Sequence, residues 1–278
     1  MARLRGAIAT GSAAAARRSV AFGKSVYRQL WVGLSYLWPQ HKDLCTNNLG
    51  FFPPNPEIAS QFPIQKHQIQ LYAELLKTAG CSSDNLAQRA VLEVGAGRGG
   101  GLLYIAAVAR PRWLIGIDSS FTAAYRGRRR GLDLRRASAE QLPFADDTFD
   151  RVICIETLSG VLDQLRVLRQ MARVLAPNGL LLLGEFRIAT LDETRDYLAR
   201  GAALAGLEIT EFRDATANVH RSIKEDHARN LGFLESIPKP FRRFARERLM
   251  IEGSARYRGW EEGAYCFCLA ALTKRPAG

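Results

Sequence analysis

The residues from Val91 to Gly101, Val-Leu-Glu-Val-Gly-Ala-Gly-Arg-Gly-Gly-Gly, combine types and spacing that could do chemistry. An apolar run enters a turn whose glycines admit backbone conformations, and a close ligand approach, that a side chain would forbid. A dinucleotide fingerprint would read GxGxxG and set a pyrophosphate on a helix N-terminus. Here the spacing is ExGxGxG. The acid on the strand before the turn, Glu93, suits a cationic amino-acid cofactor better than a diphosphate. Asp118 closes the next apolar run, Leu114-Ile115-Gly116-Ile117, where a carboxylate can accept hydrogen bonds from both hydroxyls of a ribose. Groups able to take a proton are few. Glu156 follows the apolar run Arg151 to Ile155, at the end of a strand where open sheets bind ligands, and His220 and His227 lie nearer the C-terminus. Each lone histidine has an ordinary alternative role as a surface or packing residue. An acceptor that is already a carboxylate would need no base.

The elements that must position these groups alternate in type. Gln65 to Ala79 has helical apolar spacing, and Gly80 to Asn85 breaks it. Ala90 to Val94 and Trp113 to Ile117 read as strands joined by the glycine turn and a helix, a βαβ unit. Arg151 to Ile155 and Leu180 to Phe186 are further strands, with the helical segment Leu162 to Leu175 between them, ended by Pro177 and Gly179. Alternation of this kind predicts an α/β fold, a parallel sheet with helices on both faces. Tyr265 to Thr273 is a last strand, and Glu252 to Gly263 reads as the hairpin leading into it.

The chain has 278 residues, 47% of them apolar, enough for a sizeable core. Its 39 lysines and arginines against 27 acids leave a net charge of +12, which favours an anionic partner without saying which. Five scattered cysteines, with no CxxC pair, argue against a disulfide framework, a secreted life or a structural metal, so no metal site is expected. No acid precedes Asp43, and prolines punctuate the chain from Pro53 to Pro63. Residues 1–63 are therefore expected to form a basic arm and helical lid, and 64–278 the main domain. Within the arm, Tyr27, Leu30, Trp31 and Leu34 make an apolar stripe, too short and too charged at one end to span a bilayer. It predicts either a lid, closing with Phe51, Phe52 and the segment after Phe186 over an apolar acceptor chamber, or an interfacial membrane helix giving peripheral membrane contact. The Ala-, Arg- and Ser-rich start imitates an organelle transit peptide. The expected location is cytoplasmic, with membrane association through the arm left open, or an organelle in a eukaryote.

The core motifs resemble the Rossmann-like class of S-adenosylmethionine-dependent methyltransferases. Beyond the glycine turn, Ala139-Glu140-Gln141-Leu142-Pro143-Phe144 followed by Asp146-Asp147-Thr148-Phe149-Asp150 looks like the adenine-side motif of the ubiquinone and small-molecule branch. Arg173-Val174-Leu175-Ala176-Pro177-Asn178-Gly179 looks like its RVLxPGG turn, with Asn178 replacing a glycine. The resemblance implies a doubly wound, mostly parallel sheet with an antiparallel last strand, and S-adenosylmethionine as cofactor. It implies that Glu93 and Gly95 hold the methionine end, that Gly97 and Gly99 admit the cofactor backbone, and that Asp118 takes the ribose. The adenine edge would lie against Ser138, Ala139 and Glu140; Ser138 stands where that branch often has an acid. A histidine that often follows the fourth strand there is absent from Glu156-Thr157-Leu158-Ser159-Gly160.

More loosely, Asn47-Asn48-Leu49-Gly50-Phe51-Phe52, Phe212 to Asp226 and Tyr257 to Phe267 resemble the phthiotriolone and phenolphthiotriolone dimycocerosate and polyketide O-methyltransferases. That implies methyl transfer to a hydroxyl or carboxylate of a large apolar small molecule or lipid. The competing class is a nucleic-acid methyltransferase, with Arg126, Arg128, Arg129, Arg130, Arg135 and Arg136 as a phosphate track. No Asn/Asp-Pro-Pro-Tyr/Phe motif follows the fourth strand, and Cys154 lacks a preceding proline. A solvated arginine face and a small-molecule acceptor are the preferred expectation. The sequence leaves the oligomeric state open.

Overall fold

A computed structural model describes residues 44–275. Its centre is a seven-stranded sheet of order β3-β2-β1-β4-β5-β7-β6. The strands are β1 (Ala90–Val94), β2 (Trp113–Asp118), β3 (Leu134–Arg136), β4 (Phe149–Ile155), β5 (Leu175–Arg187), β6 (Leu207–Asp214) and β7 (Cys266–Lys274). The pairings among β3, β2, β1, β4 and β5 are parallel, whereas β7 runs antiparallel between β5 and β6, with Leu183 opposite Ala270 and Glu185 opposite Cys268. The parallel, doubly wound α/β reading holds, and so does the antiparallel last strand.

Side chains alternate across each strand, so each strand feeds two cores. From β1 and β4, Val91, Ile153 and Ile155 pack against α2 (Lys66–Thr78) and α4 (Gly100–Ala109). Ala90, Leu92, Val94, Val152 and Cys154 pack on the other face against α6 (Gln164–Val174) and α7 (Leu191–Leu204). Helix α6 shows why this works: Val167, Leu168, Met171 and Val174 form one buried stripe, and Asp163 caps its start by accepting the Arg166 N–H at 2.9 Å. Helix α7 opens with a capping box between Thr190 and Glu193.

Three local expectations change. Helix α6 runs directly into β5. Pro177, Asn178 and Gly179 fall in an irregularity of that strand, where pairing jumps from Phe149–Leu175 to Arg151–Leu180. The stretch read as a hairpin contains a helix, α11 (Ala255–Glu261), because Ser254 caps it by accepting the Tyr257 N–H and Trp260 needs burial; β7 pairs instead with β5 and β6. The proline-punctuated junction contains a helix too, α1 (Pro56–Gln61), with Asn55 as its cap and Pro56 in its first turn. Phe51 and Ile58 belong to the apolar cluster built by α2 and α4, so the described chain before residue 64 shares one core with the main domain. The stripe of Tyr27, Leu30, Trp31 and Leu34 lies outside the described residues.

The remaining helices are the short α3 (Ser83–Leu86), α5 (Phe121–Arg129) after β2, and α8 (Thr216–Glu225), α9 (His227–Ser236) and α10 (Lys239–Arg248), which with α11 form an insertion between β6 and β7. The C-termini of β1, β2, β4 and β5 share one edge, where ligands bind in open α/β sheets.

Candidate cofactor and methyl-transfer site

The glycine turn leaves β1 with Gly95 and Ala96 both donating to the Ile117 carbonyl, each at 2.9 Å. Gly95 (φ +78°) and Gly97 (φ +54°) are in the left-handed region that disfavours side chains. Their surroundings differ. A Cβ on Gly95 would overlap the Thr157 side chain, so this glycine lets the turn pack against the end of β4. One on Gly97 would meet only Asn47 Nδ2 at 3.7 Å and the Gly95 carbonyl at 3.9 Å, ordinary contacts, so that position is the least crowded of the turn. Gly100 and Gly101 are closed by Thr46 and Tyr72.

Asp118 lies beside Gly97. Its Oδ2 accepts the Gly97 N–H at 2.9 Å and its Oδ1 the Ser120 N–H at 2.8 Å. Glu93 lies beneath the turn, 1% exposed. The Tyr72 hydroxyl donates to its Oε1 at 2.7 Å, while Oε2 is buried with no hydrogen-bond partner. Burial pushes its carboxyl up to about 7, against the hydrogen bonds from Tyr72 and from the Leu102 N–H, with Asp118 adding to the rise. A buried carboxylate oxygen without a donor is the group that an ammonium would satisfy.

A strap, residues 44–50, crosses in front. Gln65 Oε1 accepts the Cys45 and Thr46 N–H groups, Asn47 Oδ1 accepts the Arg98 Nε–H at 3.0 Å, and Asn48 donates to the Gln68 carbonyl at 3.1 Å. The Leu49 N–H donates to Glu156 Oε1 at 2.7 Å, and Ser222 donates to the Leu49 carbonyl at 2.8 Å. Glu156 stands at the end of β4 in the left-handed region, φ +50°, uncommon for a residue with a side chain. Burial raises its carboxyl to about 7, with Glu185 adding to the rise, against the Leu49 N–H and the charges of Arg256 and Arg248. Glu185 is itself buried and accepts the Leu158 N–H at 2.7 Å and the Ser159 N–H at 3.2 Å, fixing the turn after Glu156.

Behind the strap is a cavity of about 110 Å³ between α2, α8, α9 and the end of α10. Leu44, Leu49, Ile223, Phe233 and Met250 give it apolar walls, and Arg229 and Arg248 give it cationic ones.

The structure thus brings Glu93, Gly95, Gly97, Gly99, Asp118 and Glu156 to one edge. Ser138 is exposed and Ala139 and Glu140 half-buried in a loop tied to that edge, because the Ala137 N–H donates to the Asp118 carbonyl at 3.0 Å. Glu140 caps the next loop through the Asp163 N–H at 3.3 Å. His220 and His227 lie apart from this cluster. His220 Nε2 meets Glu261 at 3.0 Å and its ring stacks on Trp260, whereas His227 faces Glu252 at 3.9 Å. Neither is among the described residues lining the cavity. Phe51 and Phe52 are not among them either: Phe51 is buried in the core, and Phe52 packs on His67 under the Arg221 guanidinium. Sequence reasoning missed Tyr72, Asn47 and Glu185. Only Glu185 carried a local signal, an acid at the end of the apolar run Leu180 to Gly184.

Comparison with known proteins adds the decisive observation. The family model "Methyltransferase domain" matches residues 92–183. The phthiotriol/phenolphthiotriol dimycocerosates methyltransferase of Mycobacterium tuberculosis is 30% identical over 226 residues, 79% of this chain and 80% of that protein. The chain belongs to the S-adenosylmethionine-dependent methyltransferases. S-adenosylmethionine is therefore its cofactor. The fatty-acid O-methyltransferase of Mycolicibacterium smegmatis is 35% identical over 129 residues, 45% of each chain. Among solved structures, the [4+2]-cyclase SpnF superposes with a TM-score of 0.63 at 19% identity, over 84% of this chain and 88% of that one, which speaks for the fold alone. The buried orphan oxygen of Glu93 and the uncrowded Cβ side of Gly97 fit a cofactor that carries an ammonium group.

Proposed function

We propose that this methyltransferase methylates an oxygen, a hydroxyl or a carboxylate, on an apolar lipid or polyketide-type acceptor. The observation that carries the reading is the Glu156 carboxyl, held at the end of β4 by the strap with an affinity for protons near neutrality. The acceptors named for the mycobacterial relatives support the choice of acceptor, and the neighbouring cavity has a mixed lining, with Asn48, Gln68, Asp226 and Arg229 beside Leu44, Ile223 and Phe233.

In this reading Glu93 receives the ammonium of the cofactor's methionine end, Gly95 and Gly97 admit its backbone, and Gly99 starts α4 beneath it. Asp118 takes the ribose hydroxyls; a carboxylate offers about four acceptor positions, so holding the turn and holding the ribose are compatible. Ser138, Ala139 and Glu140 flank the adenine. The cofactor supplies a methyl group on a sulfonium, open to in-line displacement. The chain's own contribution is positioning and proton handling. Glu156 takes the proton of the hydroxyl that accepts the methyl group and then passes it to solvent, and the leaving group would be the cofactor's neutral thioether. With a carboxylate acceptor, Glu156 handles no proton. The strap and the helical insertion keep water from the reacting atoms. We assign the base to Glu156 over His220 and His227 because both histidines face acids on the outer side of the insertion.

The test is Glu156→Gln assayed with S-adenosylmethionine and a hydroxylated lipid acceptor. Turnover should fall by about 10²–10⁴, the range for loss of a general base, with S-adenosylhomocysteine affinity retained. Full turnover in that variant, with loss in His220→Asn, would move the base to the histidine.

A further inference from the structure

We propose that the sheet edge bearing the site, with α5 in the lead, docks on the surface of an anionic lipid bilayer. Helix α5 buries only Ala123, Ala124 and Gly127. Its outer face presents Phe121 and Tyr125, 60% and 45% exposed, one turn apart and stacked with ring centroids 6.1 Å apart. The Arg129 guanidinium lies 5.9 Å over the Tyr125 ring and donates to its hydroxyl at 3.2 Å, so the exposed aromatic pair carries a cation beside it. Two further exposed apolar side chains lie on loops of the same edge. The loop after β3 is tied to the end of β2 through Ala137, and to the loop before α6 through Glu140 and Asp163. There Leu162 is 59% exposed, and after β5 Ile188 is 74% exposed. Gln164 joins these last two places, accepting from Arg187 at 3.4 Å and from the Tyr197 hydroxyl at 2.6 Å.

The charge on this edge is uneven. From Phe121 to Arg136 the chain has six arginines, at 126, 128, 129, 130, 135 and 136, and one acid, Asp133, which is bonded to Arg135. At the other end Asp192, Glu193 and Asp196 offset Arg187 and Arg195. The basic, aromatic α5 end therefore meets the bilayer first, its arginines at the level of anionic headgroups and Phe121 reaching toward the acyl boundary. Leu162 and Ile188 separate this partner from a nucleic acid: an aliphatic side chain has no ring face for a base, whereas it dissolves in hydrocarbon. Such docking sets the mouth of the site against the phase in which an apolar acceptor resides. Among the described residues no helix is long and apolar enough to cross a membrane, so contact by this edge is interfacial.

The experiment is flotation of the full-length protein with vesicles of phosphatidylcholine alone, or with one third phosphatidylglycerol, alongside polarisation with a fluorescent single-stranded RNA. Vesicle binding is read without turnover, so it stands or fails separately from the acceptor assignment. The wild type should float with the anionic vesicles only. Phe121→Ser with Tyr125→Ser, and separately Arg128→Glu with Arg129→Glu, should each weaken binding by about tenfold or more. Leu162→Ser with Ile188→Ser should weaken it by a smaller factor. All these positions are exposed, and circular dichroism checks the fold of each variant. No flotation of the wild type, or flotation unchanged in both α5 variants, overturns the proposal. RNA binding tighter than vesicle binding, lost on charge reversal but kept without the aromatic rings, overturns it in favour of nucleic acid.

Discussion

Glutamine in place of Glu93 should abolish the pH dependence of cofactor binding on the acid side of neutrality. The Glu93 carboxyl titrates at about 7 where an exposed one has 4.5. Without ligand it is about half ionised at pH 7 and about one-tenth ionised at pH 6. The ammonium it receives has an ordinary α-amino pKa of about 7.7–8.0, so the ion pair is most favoured near pH 7.4. Multiplying the two populations, affinity for S-adenosylhomocysteine should rise about fivefold from pH 6 to pH 7.4. Calorimetry in two buffers of different ionisation enthalpy should also detect a net release of about 0.4 proton per ligand at pH 7, about half a proton from Glu93 less about 0.1 taken up by the ammonium. Glu93→Gln should flatten the acid limb, cancel the proton release and weaken binding at pH 7.4 by roughly tenfold or more, the scale of a hydrogen bond to a charged group. Glu156 also titrates at about 7, so Glu156→Gln is the control and should keep the proton release. A proton release that survives Glu93→Gln, or is lost in Glu156→Gln, would refute the assignment. Stability carries the same signature with a defined sign. Glu93 has a folded pKa above its unfolded one, so its contribution is fully present below about pH 4.5 and is lost as pH rises to about 7. The loss is at most roughly 3 kcal/mol, and ligand-free Glu93→Gln should recover part of it at pH 8 but none at pH 4.

Gly97→Leu should abolish cofactor binding while the domain remains folded by circular dichroism, since its Cβ meets only ordinary contacts and the positive φ costs only part of the stability, whereas Gly95→Ala should lower the melting temperature more because its Cβ would overlap Thr157. Asp118→Ala should weaken S-adenosylhomocysteine by about 1–3 kcal/mol in calorimetry and also lower the melting temperature, because the Gly97 and Ser120 N–H groups lose their acceptor. With a hydroxyl acceptor, kcat should rise about tenfold from pH 6 to pH 8 as Glu156 ionises through about 7, and a pH-flat kcat would remove Glu156 as the base.

Four strands of the parallel half, β1, β2, β4 and β5, could be read from sequence because each holds a short apolar run ended by a glycine turn or an acid, as in Val91 to Gly95 and Leu114 to Asp118, whereas β3, Leu134-Arg135-Arg136, has no apolar run and is not predicted. Helix α11 was missed although Ser254 offers a local cap three residues before Tyr257, because the burial of Trp260 that fixes the helix depends on tertiary neighbours. The site divides the same way. Glu93 and Asp118 were visible as acids at strand ends. What each glycine of the turn does was not: Gly95 makes room for Thr157, Gly99 for Leu132, Gly100 for Thr46 and Gly101 for Tyr72, residues distant in sequence, and Gly97 is the least crowded. The strap could be quoted as Asn47-Asn48-Leu49-Gly50, but its hold on Arg98 and Glu156 needs the folded chain. The two histidines were attractive as bases because they are rare; Glu261 and Glu252, which face them, come from the segment misread as a hairpin.

Incubation of the purified protein with methyl-labelled S-adenosylmethionine and a panel of hydroxylated lipids, free fatty acids and total RNA, followed by extraction and mass spectrometry, tests the central claim most directly. The account predicts label on an oxygen of an apolar acceptor, dependent on the uncrowded side of Gly97 and on Asp118. Label confined to RNA, or on lipid but undiminished in Gly97→Leu, would contradict it.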